Sequence, residues 1–231
     1  METDGLLVYS AGAVAPPFQD ALNAFDRREG TNSRFVAGKP ENLLKAIALN
    51  KKGDVMSCGA EYVHDEAEDR GIFKLGTRHS LGYRRSVLIV QEGNPTGIKK
   101  LEDLTQPGVR VGIAVDGCLK GVWDDVCSKA GVIEEVRANI VEHADACGTL
   151  MGLIHSNRVD VVFGWNAFKN IWFDTCDSVE LPRDIQIFRS TAVQITSYTR
   201  NESLSKKLIE FLTSPEGRKI YAEYGWRQEP I

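Results

Sequence analysis

The sequence predicts an α/β protein of two lobes, each with a mostly parallel sheet flanked by helices. Short apolar runs rich in β-branched residues alternate with segments whose apolar residues recur at helical spacing, which is typical of parallel sheets covered by helices. This strand and helix series starts again near the middle of the chain. The last third departs from it with one long β-branched run at 185–199. A strand usually has about 5–6 residues, so this run favours a segment that crosses between lobes.

The first half of the chain predicts strands and helices in alternation. An apolar strand ends at Ser10-Ala11-Gly12 and leads into a helix that begins at Pro16-Pro17, where a helix tolerates proline. The apolar residues of this helix recur at i, i+4 and i+7: Phe18, Leu22 and Phe25. Further strands are expected at 33–38, 54–58 and 86–90, with a helix from Pro40 between the first two and a turn at 93–95 after the third.

The second half repeats this order before the long run. Strands are expected at 109–115 and 159–165, and helices at 121–130 and 148–155. Two helices are expected after the long run. The first has an apolar face of Leu204, Leu208 and Phe211, and the second has Ser214 as its N-cap, Pro215 in its first turn and Gly225 at its end.

Composition narrows the class of protein. The chain has 231 residues, of which 42% are hydrophobic and 26% charged, so it is expected to be globular with a substantial core. Its formal net charge of -4, with scattered lysines and arginines, argues against a nucleic-acid partner. No apolar run approaches the roughly 20 residues that span a bilayer, and the first residues lack a basic-then-apolar secretory pattern.

The five cysteines form no CxxC pair and no Cys/His cluster of zinc-finger type, and their odd number leaves at least one thiol unpaired. Cys58, Cys118 and Cys147 lie near predicted strand ends. Two interpretations stay open for them. Free cysteine is most often a small buried apolar residue. If the three converge, their thiolates are suited to a soft metal ion.

Several strand-to-helix junctions have the composition of anion sites. Small residues let a ligand approach the backbone, and the first N–H groups of a helix have no intrahelical partner. Such junctions occur at Ser10-Ala11-Gly12, Gly38-Lys39-Pro40, Lys120-Gly121 and Cys147-Gly148. Each also has a purely structural interpretation, because tight turns are common in α/β folds and lysines are usually solvated.

An enzyme is the main alternative class. Cys147 at a helix start, with His143 close before it in the sequence, suggests an activated thiol with a base. Against this, the four histidines lie in surface-like polar contexts, and the sequence contains no complete triad, Walker loop, GxGxxG or HExxH motif. The sequence therefore predicts a protein that is not an enzyme and needs no cofactor.

Five segments carry a family resemblance, from Leu6 to Trp226: LLVYSAGAVAPPFQDALNAF, GDVMSCGAEYV, LEDLTQPGVRVGIAV, NRVDVVFGWNAF and KKLIEFLTSPEGRKIYAEYGW. In this order they resemble an extracytoplasmic solute-binding protein of an ABC transporter, in the branch of molybdate- and tungstate-binding receptors. The pieces that carry the resemblance most specifically are Leu-Glu-Asp-Leu at 101–104 and Phe-Leu-Thr-Ser-Pro-Glu-Gly at 211–217.

The resemblance implies a type II periplasmic-binding-protein fold, with two lobes joined by two crossing strands and a ligand held in the cleft between them. It places lobe one at 1–83 plus 192–231 and lobe two at 84–191. It implies a monomer, periplasmic or extracellular and possibly lipid-anchored, that delivers a small oxyanion such as molybdate or tungstate to a membrane permease. The same fold with a cysteine-containing cleft for a soft metal ion or another small solute is the alternative.

The resemblance implies ligand-binding residues in both lobes: Ser10, Ala11, Gly12, Gly38, Lys39, Lys120, Gly121, Cys147, Gly148 and Trp165. Cys58 is added to these ligand-binding residues because it lies near a predicted strand end. Trp165 stands where a molybdate receptor has a hydrogen-bonding tyrosine. A role in the core or hinge is the other interpretation of this residue, because it follows an apolar strand.

Overall fold

The structure, a computed structural model, describes residues 3–230 of the chain. The chain forms two compact units, residues 3–83 with Ser190–Glu229 (unit 1) and Arg84–Arg189 (unit 2). It passes from one unit to the other inside β4 (His79–Gln91) and again inside β9 (Phe188–Ile195). The predicted α/β class with two strands that carry the chain between lobes is confirmed.

Unit 1 contains a sheet in the order β2-β1-β3-β9 with helices packed on it. Its further elements are β1 (Thr3–Ala11), α1 (Ala15–Glu29), β2 (Thr31–Gly38), α2 (Pro40–Asn50), β3 (Val55–Cys58), α3 (Glu61–Asp69), α8 (Glu202–Thr213) and α9 (Pro215–Glu223). Strand β1 pairs in parallel with both β2 and β3, and β9 pairs antiparallel with β3. The carboxyl ends of β1, β2 and β3 therefore meet at one edge of the sheet.

The first helix illustrates how local sequence sets the fold of unit 1. Two prolines lie in the first turn of α1, and Gly30 ends it in the left-handed conformation with φ of 67°. Its face of Phe18, Leu22 and Phe25 is buried as predicted. The ring of Phe25 lies 5.9 Å from that of Phe211 on α8, so this face packs one helix against the other.

Unit 2 contains a second sheet in the order β4-β7-β5-β6, with β8 on β4. Its further elements are β5 (Val111–Ala114), α4 (Val122–Ala130), α5 (Ile133–Ala138), β6 (Ile140–Ala144), α6 (Cys147–His155), β7 (Val161–Trp165), α7 (Phe168–Ile171) and β8 (Cys176–Val179). Strand β5 pairs in parallel with β6 and β7, whereas β4 is antiparallel to β7 and β8. The carboxyl ends of β5, β6 and β7 share an edge.

Two strands differ from the sequence-based prediction. The predicted strand 86–90 is the apolar end of β4, whose first residues are polar and do not show a strand pattern. That part is held by Tyr83, whose backbone N–H donates to the Arg227 carbonyl (2.7 Å) and whose carbonyl accepts in return (3.0 Å). The long run 185–199 is not one strand. Strand β9 occupies only its middle part, because a short 3₁₀ turn, Arg183–Ile185, ends at the first residue of the run, and the strand ends as the Thr196 N–H donates to the Asp54 carbonyl (2.9 Å).

Side-chain N-caps mark the starts of the last two helices, α8 and α9. The Asn201 side chain accepts from the Leu204 N–H (3.1 Å) at the start of α8, and Ser214 accepts from the Gly217 N–H (3.3 Å) at the start of α9. The predicted N-cap Ser214 is thus confirmed. Helix α9 stops at Glu223 with Tyr224 as its cap, and Gly225 lies in the turn that follows, with φ of 94°.

Within the part of the chain that the structure describes, no helix combines the length and the apolar character needed to cross a membrane.

Candidate functional site

In unit 1 the sequence-predicted site residues lie at the carboxyl edge of the sheet. Ala11 at the end of β1 pairs with Gly38 at the end of β2, and Ser10 pairs with Ser57 of β3. Cys58 is the next residue of β3. The register therefore brings Ser10-Ala11-Gly12, Gly38-Lys39 and Cys58 to the ends of three neighbouring strands.

These unit 1 residues differ in their exposure and in their hydrogen bonds. Ser10 is fully buried, and its hydroxyl donates to the Ala11 carbonyl (3.2 Å). Gly12 is exposed at the start of a 3₁₀ turn, and a Cβ added to it would meet no atom within 4 Å. Lys39 is exposed, and as N-cap of α2 it accepts from the Asn42 and Leu43 N–H groups through its carbonyl (3.1 Å each).

In unit 2 the predicted site residues also lie at the carboxyl ends of parallel strands. Ala114 of β5 pairs with Ala144 of β6, so the loops that follow these strands begin side by side. The first loop contains a 3₁₀ turn, Gly117–Leu119, then the exposed Lys120 and the half-buried Gly121. Gly121 is the N-cap of α4 with φ of 78°, a conformation that favours glycine. The second loop leads into α6, which begins with Cys147 and the exposed Gly148.

A group of four side chains at this edge centres on Cys118. Its Sγ lies 3.2 Å from the Sγ of Cys147. The Trp165 indole N–H donates to the same sulfur (3.2 Å), and Arg84 Nη1 donates to it from 3.4 Å. The Arg84 guanidinium also lies over the Trp165 ring, 4.9 Å from its centroid. We call Arg84, Cys118, Cys147 and Trp165 the thiol cluster.

The thiol cluster stabilises a negative charge on sulfur. Hydrogen bonding from Cys147 lowers the pKa of the Cys118 thiol to about 5, with further contributions from the Arg84 charge and from hydrogen bonds of Arg84 and Trp165 that outweigh the effect of burial. The thiols of Cys127 and Cys176 behave in the opposite way. Burial raises the pKa of the first to about 12 and of the second to about 11.

Two members of the cluster were not predicted as ligand-binding residues. Arg84 is almost fully buried, and Cys118 was considered only as a possible metal ligand. The sequence does contain a signal for Arg84. It is spaced two residues from Ser86 and four from Leu88, so it shares one face of the strand with them, and the residues on this face are buried. Trp165 is fully buried and donates to a protein sulfur, which agrees with its interpretation as a core residue.

The structure does not support the thiol and base expected of an enzyme. His143 lies on β6 and is exposed, whereas Cys147 begins the helix after it and is buried against Cys118. The expectation that all four histidines lie in surface contexts is wrong for His64. This residue is fully buried in unit 1, and its Nδ1 lies 3.0 Å from Oε1 of Gln194.

Two of the three thiols considered for a metal ion meet within one unit. Cys118 and Cys147 meet in unit 2, while Cys58 belongs to unit 1. Over residues 3–230, no three or more histidine, cysteine, aspartate or glutamate side chains are grouped so that they could hold a metal ion.

The pKa of Cys118 gives a direct prediction. The rate of its alkylation by iodoacetamide is expected to rise with pH around a midpoint of about 5, because the thiolate is the reactive form and Arg84, Trp165 and Cys147 stabilise it. An ordinary thiol has its midpoint at about 8.5. The measurement is peptide mapping after timed labelling from pH 4 to 9, with Cys127 in the same protein as the unreactive control. A midpoint above about 8 would contradict the charge assignment.

Comparison with known proteins gives a family and a fold. The profile of a family described as bacterial extracellular solute-binding protein matches residues 6–227. A sulfate-binding protein of Synechococcus elongatus is 24% identical over 216 residues, which are 82% of this chain and 61% of that protein. The chain thus spans less than two thirds of that relative's length. The molybdate-binding protein ModA of Mycobacterium bovis is 20% identical over 227 residues, 96% of this chain and 84% of ModA.

Among solved structures, PEB3 of Campylobacter jejuni with L-phospholactate bound superimposes with a TM-score of 0.86 at 22% identity. The match covers 97% of this chain and 100% of PEB3. At this identity the similarity shows a shared fold.

Proposed function

The chain belongs to the bacterial extracellular solute-binding proteins, and from this premise we propose that it captures a small oxyanion and delivers it to the membrane permease of an ABC importer. Members of this family are transport receptors and not enzymes, and they act in the periplasm or outside the cell. The two units of the chain serve in this proposal as the two lobes of the receptor. A monomeric state and a lipid anchor stay predictions.

The observation that carries the proposal is the repeated strand-to-helix junction at the carboxyl edge of each sheet. Glycine and other small residues occupy these junctions in both units, at Gly12 and Gly38 in unit 1 and at Gly121 and Gly148 in unit 2. An oxyanion that leaves water needs hydrogen-bond donors to replace its hydration, and backbone N–H groups supply these without a titratable group.

The start of α6 is the strongest donor set among these junctions. Helices α1 and α2 have proline in their first turn, and proline has no amide hydrogen to donate. Helix α4 has Asp124 and Asp125 in its first turn, and their charges oppose an anion. The first turn of α6 has no proline and no acidic residue. One carboxylate, Asp145, lies just before α6 and accepts a hydrogen bond from the Thr149 hydroxyl (3.1 Å), whereas α4 has two carboxylates within its first turn.

The solute class is narrowed by the chemistry that the relatives share. The relatives are named for sulfate and for molybdate, and the PEB3 structure holds L-phospholactate. All three solutes carry a tetrahedral oxyanion group. Junctions that offer mainly donors favour an anion that carries no proton at neutral pH, and we therefore propose molybdate, tungstate or sulfate ahead of inorganic phosphate, which keeps at least one proton at that pH.

The soft-metal alternative has one supporting observation, the contact of Cys118 with Cys147. Their sulfurs lie 3.2 Å apart. Two thiolates on one metal ion at about 2.3 Å each are separated by about 3.8 Å in tetrahedral geometry and about 4.6 Å in linear geometry. The Arg84 cation beside Cys118 also opposes a second positive charge. The structure therefore favours the oxyanion over the metal ion.

The test is a thermal-shift screen followed by calorimetry. Molybdate, tungstate, sulfate, phosphate, L-phospholactate and copper(I) are each added to the purified protein at the same concentration. A ligand present at about 100 times its Kd stabilises the folded state by about 2.7 kcal/mol. For a chain of this size, this corresponds to an increase in Tm of about 5–10 °C.

The expected result is an increase in Tm with molybdate, tungstate or sulfate, with a single binding isotherm in calorimetry. An increase with copper(I) alone would support the metal alternative. An increase with inorganic phosphate alone would contradict the preference for anions that carry no proton. An increase with L-phospholactate alone would show that the solute is a phosphate monoester and not molybdate, tungstate or sulfate.

A further inference from the structure

Two cysteines that are distant in sequence meet in unit 2 because of the sheet register. Cys118 lies in the 3₁₀ turn after β5, and Cys147 is the first residue of α6 after β6. These strands are parallel neighbours whose last residues, Ala114 and Ala144, are paired, so the chain leaves both strands at the same point. The two sulfurs are 3.2 Å apart, and both residues are present as thiols.

The two thiols are not equivalent. Cys118 receives hydrogen bonds from Arg84 and Trp165, and the residue is half-buried, which makes it the more exposed of the two cysteines. Cys147 is buried and contacts Cys118. A thiolate attacks a disulfide faster than a thiol does, and it attacks only where the sulfur is accessible. Cys118 therefore has the properties of an attacking residue and Cys147 those of a resolving residue.

We propose that Cys118 and Cys147 form a thiol–disulfide exchange site whose co-substrate is a small-molecule disulfide. The Cys118 thiolate attacks one sulfur of the disulfide RSSR, a Cys118–SR bond forms, and RS⁻ leaves and takes a proton from water. Cys147 then loses its proton to solvent and attacks the Cys118 sulfur, which releases the second RS⁻. Two protein thiols become one disulfide, and RSSR is reduced to two RSH. A reducing thiol reverses both steps.

The contacts of the cluster suit each of these steps. The guanidinium of Arg84 and the indole N–H of Trp165 hold the charge of Cys118 before the attack. The resolving sulfur already lies next to the atom that it must attack, so the second step needs little movement. Two of the other buried thiols, Cys127 and Cys176, have a raised pKa and are expected to take no part.

The test is a reaction with oxidised glutathione at about pH 5.5, followed by intact-mass measurement and peptide mapping. At this pH Cys118 is mostly thiolate while an ordinary thiol is almost entirely protonated. After allowance for the lower nucleophilicity of a weakly basic thiolate, Cys118 is expected to react about ten times faster than free glutathione thiol.

The wild-type protein is expected to lose two hydrogens and to keep no glutathione, with Cys118 and Cys147 recovered in one linked peptide. The Cys147→Ser variant is expected to stop at one glutathione on Cys118. The Cys118→Ser variant is expected to react about ten times more slowly, and the Cys127→Ala variant to react as the wild type does.

Three results would overturn the proposal. One is a wild-type protein with a stable glutathione adduct and no internal disulfide. Another is a Cys118→Ser variant that reacts at the wild-type rate. The third is labelling of Cys127 as fast as Cys118 in the wild-type protein, which needs no variant and so does not depend on whether the variants fold.

Discussion

The Gly148→Trp variant is expected to lose oxyanion binding while it keeps the fold of the parent protein. Gly148 is exposed on the first turn of α6, and a Cβ added there would meet no atom within 4 Å. The helix therefore accepts a larger residue, but an indole at this position covers the N–H groups that we propose as donors. Loss of two or three such hydrogen bonds, each of about 1–1.5 kcal/mol, weakens the affinity by about 30-fold to 2000-fold.

The matched control for this variant is Gly152→Trp. Gly152 lies one turn further along α6, is also exposed, and also has no atom within 4 Å of an added Cβ. Calorimetry with molybdate and sulfate is expected to give wild-type affinity for Gly152→Trp and none measurable for Gly148→Trp. The circular dichroism and Tm of both variants should match the parent protein. Equal affinities in the two variants would exclude the start of α6 from the site.

The same substitution at Gly12 tests the contribution of unit 1. Gly12 is exposed at the end of β1, with open space around it. If both units supply donors, Gly12→Trp also abolishes binding without unfolding the protein. Wild-type affinity in this variant would restrict the anion site to unit 2.

Replacing Arg84 by alanine is expected to lower the free energy of unfolding by about 3–5 kcal/mol. Arg84 is 1% exposed, donates to the Cys118 sulfur and lies over the Trp165 ring. Removing one partner of a buried charged pair leaves the other uncompensated, and costs in this range are typical. For a chain of this length the Tm is expected to fall by about 10 °C or more.

The adjacent Arg85 provides the control. It pairs with Glu180 at 2.6 Å, and the Glu180 side chain is 56% exposed, so Arg85→Ala is expected to cost about 1 kcal/mol or less. Chemical denaturation of both variants measures the difference. Arg84→Ala should cost less in a Cys118→Ala background, because the charge that it compensates is then absent. A similar cost for the two arginines would show that the thiol cluster adds little to stability.

The sequence predicted the elements whose signals are local. The first helix was predicted from proline at its start and from Phe18, Leu22 and Phe25 on one face, all of which are buried. The Ser214 cap needed only the residues next to it. Strand β4 was predicted only in part, since its first residues are polar and are held by a pairing with Arg227, more than a hundred positions later in the chain.

The candidate site likewise has features that local sequence predicted and contacts that it did not. The sequence placed Gly12, Gly38, Gly121 and Gly148 at junctions between a strand or loop and a helix, because small residues at such points are visible in the sequence itself. It grouped Cys58, Cys118 and Cys147 as three possible metal ligands and did not predict that Cys118 and Cys147 form a pair. It also did not predict that Arg84 lies beside Cys118. These contacts join residues that are 29 and 34 positions apart.

The amino-acid sequence by itself determined the α/β class and the caps and apolar faces of the helices, because these depend on residues near one another in the chain. It also determined the family, because the segments that carry the resemblance are short and follow one another in a fixed order. Only the tertiary structure decided that Cys118, Cys147, Arg84 and Trp165 form one cluster. The reason is physical. The register of β5 with β6 and of β4 with β7 sets which strand ends coincide, and a shift of one residue would direct these side chains elsewhere.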